Sequence, residues 1–261
     1  QFTYNDGVKT FIIKQLNFTY KFSDKFKVTL GSFATHVGYE LVDAVDNKNY
    51  SMSYAFTYGP FFNTGIKVQY TSNKFSFMAG VSNPTDLKST IDAGSTQKTF
   101  IGQLAFLGDT GSAYFNVTSG SSNPSSDENK TQFDFVGKKK LSKAFSLGFN
   151  GTYALTTNDL DSALDGEWFS LVGYVNFIVK ESSSVAYRLE YLDAKQATDR
   201  LGLLTGTSVI GNTLSLNYKV GNLTIIPEFR FDIASEDIFT DSNAAPKGLT
   251  AYALLATTYS F

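Results

Sequence analysis

The sequence predicts an all-β fold: a transmembrane antiparallel up-and-down β-barrel of about 14 strands. Three observations predict it. Segments of roughly ten residues alternate apolar and polar side chains along the whole chain. The connections between these segments alternate short and long, as they do in barrels with short turns at one rim and longer loops at the other. Aromatic residues are plentiful, with 24 Phe and 15 Tyr in 261 residues, whereas charged residues make up only 18% against about 25% in an average soluble domain.

Composition removes other classes. A mean hydropathy of -0.12 is too polar for a helical membrane protein, and no apolar run approaches the roughly 18 residues that a spanning helix needs. The absence of Cys excludes disulfides, thiolate metal sites and Cys nucleophiles together. A net charge of -2 gives nucleic acid no electrostatic footprint to bind. The chain opens on Gln1 without an initiator Met or a signal peptide, so it is expected to start after a cleavage point or to lack upstream sequence.

The elements follow in order. Residues 2–4 read as a stub strand before the turn Asn5-Asp6-Gly7, and residues 26–35 and 64–70 as full strands. Ile66, Val68 and Tyr70 oppose Lys67 and Gln69, and Phe145, Leu147, Phe149, Gly151 and Tyr153 form another stripe. Val185, Tyr187, Leu189 and Tyr191 oppose Arg188 and Glu190, while Leu214, Leu216, Tyr218 and Val220 oppose Ser215, Asn217 and Lys219. The clearest stripe is Leu223, Ile225, Pro227, Phe229, Phe231 and Ile233 against Thr224, Glu228, Arg230 and Asp232. Pro227 lacks a ladder donor, which predicts a bulge.

Short connections at 23–25, 71–74, 108–111, 138–143, 180–183 and Gly221-Asn222 carry turn residues. Longer, polar ones at 83–98, 119–130, 156–167, 192–206 and 235–247 fall between them. Two short turns on one rim must be separated by an even number of strands. That parity fails between 25 and 71 if residues 50–56 form a strand. Residues 36–63 are therefore predicted as one long extracellular insertion, partly extended, folded back into the barrel mouth as a constriction or plug. The count is then 13 full strands plus the stub, 14 in all, or 16 if upstream sequence is missing. Residues 1–261 form a single domain.

Cost decides which face meets lipid, because Arg or Lys turned outward at the bilayer midplane costs about 2–4 kcal/mol. Arg188, Glu190, Lys219, Glu228, Arg230 and Asp232 are thus expected to line the pore, together with Lys67 and Asp134; the mixed cluster either shapes the transverse field of a water-filled channel or forms a salt-bridge network that rigidifies a filled barrel wall. In the loop, His36, Glu40, Asp43, Asp46 and Lys48 are the candidate constriction residues. Lys14 shares parity with Ile12, Leu16 and Phe18 and is expected outward, near the extracellular rim. Residues 168–179 are apolar on both faces, so something covers their inner face or they meet a partner.

The chain ends in Tyr259-Ser260-Phe261, which resembles the recognition signal of outer-membrane barrel proteins. Further blocks carry a family resemblance. They are Ile13-Lys14-Gln15-Leu16, the run from Thr35-His36-Val37-Gly38-Tyr39-Glu40 to Ala44, Asn49-Tyr50-Ser51-Met52-Ser53-Tyr54, Gly59-Pro60-Phe61-Phe62-Asn63-Thr64-Gly65 and Val81-Ser82-Asn83-Pro84-Thr85-Asp86. With Leu223-Thr224-Ile225-Ile226-Pro227-Glu228-Phe229-Arg230 they resemble the OmpL-like β-barrel porin family of Gram-negative outer membranes. The blocks span the first third of the chain. The resemblance implies an integral outer-membrane barrel with its C-terminus on the periplasmic side, and members with strands upstream of Gln1.

Other chemistry is sparse. His36 is the only imidazole, so a metal site of several His ligands is impossible and a His-dependent hydrolase would hang on this one residue. No nucleophile motif accompanies it, and it is read as a loop anchor or a solvated side chain. No phosphate-binding loop or EF-hand pattern occurs. The acidic loops, including Asp127, Glu128, Asp159, Asp161, Asp165, Glu167, Glu236, Asp237 and Asp241, read as solvated surface in preference to sites for Ca²⁺ or Mg²⁺. No catalytic residue, metal or cofactor is assigned. The expected function is a porin passing small polar solutes or ions by passive diffusion. The alternative is a structural or accessory barrel subunit of a larger outer-membrane complex, and a weaker one an outer-membrane hydrolase. Expected partners are outer-membrane lipid, lipopolysaccharide, and further copies of the chain or other outer-membrane proteins, with no nucleic acid.

Overall fold

In lipid every backbone N–H and C=O must be paired within the protein, and a meander achieves this by joining each strand to the next. The computed structural model describes residues 2–5, 8–11, 13, 15–87, 97–121, 127–197 and 204–260. Its first strands, β1 (Phe2–Asn5) and β2 (Val8–Phe11), pair with each other. Thirteen later strands form one antiparallel sheet, each paired with its neighbours in sequence. They begin with β3 (Leu16–Lys21), β4 (Phe26–Ala34), β5 (Phe62–Thr71), β6 (Phe75–Ser82), β7 (Thr99–Gly108) and β8 (Gly111–Ser121). The meander continues through β9 (Glu128–Lys140), β10 (Phe145–Asn158), β11 (Gly166–Lys180), β12 (Ser183–Gln196), β13 (Ser208–Val220) and β14 (Leu223–Ala234). A small hairpin, β15 (Phe239–Thr240) with β16 (Pro246–Lys247), precedes β17 (Leu249–Tyr259), the last strand of the sheet.

The up-and-down order and the 13 full strands agree with the alternation. The stub does not join them. It pairs with residues 8–11 in a separate hairpin, with Asn5 opposite Val8, because a two-residue connection brings those two segments together before either reaches the sheet. Among the described residues no ladder joins β3 to β17. The expected positions of Asp6, Gly7, Lys14 and Phe261, and the centres of the connections at 83–98, 119–130 and 192–206, lie outside the described residues.

From β7 to β14 the strands are 10 to 15 residues long, enough to cross the hydrocarbon core, which needs roughly 9–11 residues of tilted strand. The faces are inverted relative to a soluble protein. Phe77, Leu104, Phe135, Leu214, Phe229 and Leu255 are exposed on the outside, whereas Asn116, Asp134, Asn150, Ser170, Thr213 and Glu228 are buried on the inside. Register holds this division across the sheet, since a one-residue slip exchanges the two faces. Phe229, for instance, sits opposite Leu214 on one side and Ala253 on the other.

The bulge expected at Pro227 does not form. The β13–β14 register is the same on either side of it, Ser215 with Glu228 and Tyr218 with Ile225, and Pro227 stays opposite Leu255 on β17. The missing N–H removes a ladder bond without requiring an extra residue. Register shifts occur instead between β11 and β12, at Glu167/Phe169 and Ile178/Lys180.

Residues 35–61 leave the end of β4 and return to the start of β5 without joining the sheet. Thr35 N–H donates to the Phe61 carbonyl at 3.1 Å and closes the neck, while Asp86 accepts from Phe61 N and Phe62 N at 2.7 and 3.0 Å. Between these points lie a turn of 3-10 helix (Ala44–Asp46) and a single helical turn, α1 (Tyr54–Thr57). Residues 50–56 are not a strand, as the parity count required.

The inverted faces predict a specific asymmetry. Phe229→Arg should destabilise the folded protein in lipid vesicles by about 2–4 kcal/mol in a urea titration, whereas Lys219→Gln, an exposed position on the opposite face, should change it by less than about 0.5 kcal/mol. Equal losses would reverse the assignment of faces.

Candidate functional site: a loop seated in the lumen

The inner wall concentrates polar groups that cannot be left dry and unpaired, and residues 35–61 supply partners for many of them. The contacts run from strand to strand along the loop. Gly38 N–H donates to Asp134 at 3.0 Å and Tyr39 N–H to Asn150 at 3.3 Å. Asp134 also accepts from Asn116 at 2.8 Å and from Thr152 at 2.7 Å, which occupies both of its oxygens. Tyr39 stacks on Tyr174 with ring centroids 4.0 Å apart. A Cβ at Gly148 would lie 2.4 Å from the Tyr39 ring, so only glycine lets that ring lie against the wall.

Glu40 then reaches the centre of the site. Arg188, fully buried, donates to Glu40 at 2.8 Å and lies 3.2 Å from Glu190. Arg230 lies 3.1 Å from Glu190 and 2.8 Å from Asp232. The same two guanidinium groups hold loop backbone: Arg188 donates to the carbonyls of Ser51 and Met52, and Arg230 to that of Met52 at 2.7 Å. Guanidinium suits this position because its several fixed donors can serve carboxylates and carbonyls at once. A Cβ at Gly211 would fall 2.7 Å from the Glu190 side chain and 2.9 Å from Asp232, so glycine leaves room for the cluster.

The acidic partners are also spoken for. Glu228 accepts from Tyr50 N at 2.6 Å, Ser51 N at 3.0 Å and the Ser215 hydroxyl at 2.7 Å. Glu190 accepts from Tyr54 N at 2.6 Å, and Asp232 from the Tyr54 hydroxyl at 2.8 Å. Burial, then the Asp232 carboxylate, pushes the Tyr54 phenol far up, so it stays protonated as the donor. Glu40 accepts from Ser53 through both its N–H and its hydroxyl, and Ser53 in turn caps α1 by accepting from Phe56 N at 3.1 Å.

Residues 168–179 face the loop, which resolves their two apolar faces. Val172 and Tyr174 pack on Ala55 and Tyr39, and Trp168 meets Tyr58 edge-on at 6.3 Å. The loop thus covers the inner face from Trp168 to Tyr174, while Ile178 lines the hollow at the short-turn rim.

The remaining expected residues divide. Lys67 points inward and lies 4.0 Å above the Phe33 ring. Lys219 and Lys48 line a hollow of about 780 Å³ at the short-turn rim, and Asp46 lines a smaller recess beside it. Asp43 precedes the 3-10 turn and is exposed. His36 Nε2 lies 3.1 Å from the Val117 carbonyl. Burial lowers its pKa to about 4, opposed in part by that hydrogen bond and reinforced by nearby Lys67, so the ring is neutral at pH 7. Among the described residues no group of three or more His, Cys, Asp or Glu is placed to hold a metal ion.

Several contributors were not singled out in the sequence. Asn49 donates to Ser215 at 2.7 Å and Asn217 to the Lys48 carbonyl at 2.9 Å. Inward parity includes Asn150 and Asn217, whereas Asn49 falls only within the Asn49–Tyr54 block of the family resemblance, because the loop has no period.

A model of the family described as putative beta-barrel porin-2, OmpL-like, matches residues 3–261. The chain belongs to this family. It is a β-barrel porin of the outer membrane, a passive channel by family, and its fold is shared by solved outer-membrane proteins. OmpT of Vibrio cholerae superposes with a TM-score of 0.62 at 11% identity, over 94% of this chain and 88% of that one. Its loop L8 deletion mutant gives 0.66 at 13% identity, over 97% and 81%. The anion-selective porin of Comamonas acidovorans gives 0.62 at 13% identity, over 93% and 74%. No curated protein matches the sequence.

The buried ionisable groups of this porin give two tests. Arg188→Ala leaves Glu40 and Glu190 buried without their shared partner and should cost about 3–5 kcal/mol in equilibrium unfolding, whereas the double variant Arg188→Met/Glu40→Gln should recover part of that loss. A single variant as stable as the wild type would mean that the loop is not held by the pair. His36 gives the second. Its folded pKa lies below the ordinary 6.5, so its contribution is complete above pH 6.5 and is lost as pH falls towards 4. The wild type should lose up to about 1.4 kcal/mol per pH unit across that window, measured as the urea midpoint, and His36→Gln should lack this increment.

Proposed function

We propose that residues 36–61, the expected 36–63 insertion less Phe62 and Asn63, which pair with β4 as the start of β5, act as a constriction that sets what passes this porin, with solutes limited to small polar molecules and ions. The observation that carries this is the seating of the loop backbone on Arg188 and Arg230, which fixes it across the lumen. The wall charges Arg188, Glu190, Glu228, Arg230 and Asp232 then act through the loop that they hold, and Lys219, with Lys48, lines the water-filled side. A second hollow of about 260 Å³, lined by Tyr58, Pro60, Asp86, Lys130 and Gln132, lies at the long-loop rim. The loop therefore lies between two polar chambers.

No catalysis is assigned: His36, the residue on which a hydrolase reading depended, is engaged with the Val117 carbonyl. We place the C-terminus on the periplasmic side. Support comes from β17 running towards the rim with the short turns, where its end meets the Gly221-Asn222 connection. Lipid and lipopolysaccharide would surround the outer face. A homo-oligomer is the proposed assembly, as in the trimer form of OmpT of Vibrio cholerae.

Single-channel conductance in a planar bilayer tests the constriction. Stable steps from the intact porin that enlarge when residues 38–60 are deleted would support it. Steps from the deletion alone would make the loop a plug, and identical steps from both would overturn the proposal.

A further inference from the structure

The hollow at the short-turn rim has an uneven charge. Lys48, Lys140, Lys143, Lys180 and Lys219 line it, against the single carboxylate of Glu181. Three of these lysines are on strands: Lys140 follows Gln132 and Asp134 on β9 and Lys219 follows Thr213 and Ser215 on β13, both at the parity of the buried inner face, while Lys180 ends β11 just past the Ile178/Lys180 register shift and lines the hollow from there. Lys48 is brought to them by the loop, whose Lys48 carbonyl accepts from Asn217. All five side chains are exposed, and none forms an ion pair among the described residues. Serine hydroxyls and the amides of Asn47, Asn176 and Asn217 add hydrogen-bonding groups, and apolar side chains including Leu141, Phe145, Ile178 and Ile226 form the rest of the wall.

The acidic groups of the inner wall are too far away, and too fully engaged, to neutralise this cluster. Lys219 is opposite Thr224, and Glu228 is opposite Ser215, four residues further along each strand. At about 3.3 Å per residue that is ~13 Å, beyond the Debye length of about 8 Å at physiological ionic strength. Glu228 and Glu190 also accept hydrogen bonds from loop amides. A concave, low-dielectric wall lined by one sign of charge focuses its field into the cavity.

We propose that this vestibule is a binding site for small multivalent oxyanions of the phosphate type. Its lysines converge as separate point charges on flexible stems, which suits an ion with several charged oxygens and sets no planar geometry. The ligand is a free solute, because Lys140 and Lys219 share the parity of the inner wall and point into the lumen, away from lipid headgroups. The site rests on the reading that this face encloses water, and its binding is measurable without any conductance.

Titration calorimetry of the full-length porin in detergent, at low salt, with pyrophosphate as the probe tests it. Saturable binding is expected, weakened about tenfold by Lys140→Gln/Lys180→Gln/Lys219→Gln. Lys21→Gln/Lys25→Gln/Lys74→Gln removes the same charge from the same rim outside the hollow and should weaken binding less than about twofold. No saturable binding by the wild type, or equal weakening by the two triple variants, would overturn the proposal; unchanged β circular dichroism confirms that each variant is folded. Binding by a porin that is silent in bilayers would count against the open-channel reading alone, and conductance without pyrophosphate binding would count against the site alone.

Discussion

Arg188 and Arg230 are held out of water on the inner wall, and a guanidinium in that position requires several oxygens in a fixed arrangement. The wall itself supplies Glu190 and Asp232. The Thr213 hydroxyl on β13 adds one more acceptor for Arg188, and the loop delivers the rest as the Glu40 carboxylate and the carbonyls of Ser51 and Met52. The path of residues 35–61 follows from this demand. Once Met52 is shared between two arginines, Tyr50 and Ser51 fall on Glu228 and Tyr54 on Glu190 and Asp232. A buried charge is expensive unless it is both paired and hydrogen-bonded, so the wall and the loop each leave the other unsatisfied when separated.

That dependence places unusual weight on residues that contribute no side chain. Gly148 and Gly211 sit where the Tyr39 ring and the Glu190–Asp232 pair come nearest to the wall. Ser53 links two levels of order, since it satisfies Glu40 and starts the helical turn that carries Tyr54. The aromatic contacts of Tyr39 and Tyr58 then cover Tyr174 and Trp168 on the inner face of β11. Packing and electrostatics thus seat the loop through different residues on the same strands.

Much of this was legible in the sequence because a strand has a period. Alternation locates 13 strands and assigns Arg188, Glu190, Glu228, Arg230 and Asp232 to the inner face, and parity forces residues 36–63 out of the meander, of which only Phe62 and Asn63 return to it as the start of β5. The loop interior was not legible in the same way. Asn49, Ser53 and Tyr54 have no regular spacing, and their roles depend on which wall residues lie across the lumen. The stub at the N-terminus pairs with residues 8–11 and not with the sheet, because alternation identifies a strand but does not say which strand pairs with it. Pro227 was misjudged because a missing donor is a local defect, which the register can absorb.

Charge along the barrel axis shows how sequence blocks become a field. The short connections carry runs such as Lys138-Lys139-Lys140 and Lys143, whereas the long ones carry Asp159, Asp161, Asp165, Glu236, Asp237 and Asp241. An up-and-down meander sends every short connection to one rim and every long one to the other, so a chain with a net charge of only -2 becomes positive at one end and negative at the other. Alternation then divides each run by parity. Lys138 and Lys140 turn inward, Lys138 over the Tyr39 ring at 4.6 Å and Lys140 into the vestibule, while Lys139 turns outward and donates to Thr110. Topology alone converts a nearly neutral sequence into a polarised pore, with the seated loop and its balanced arginines between the two signs.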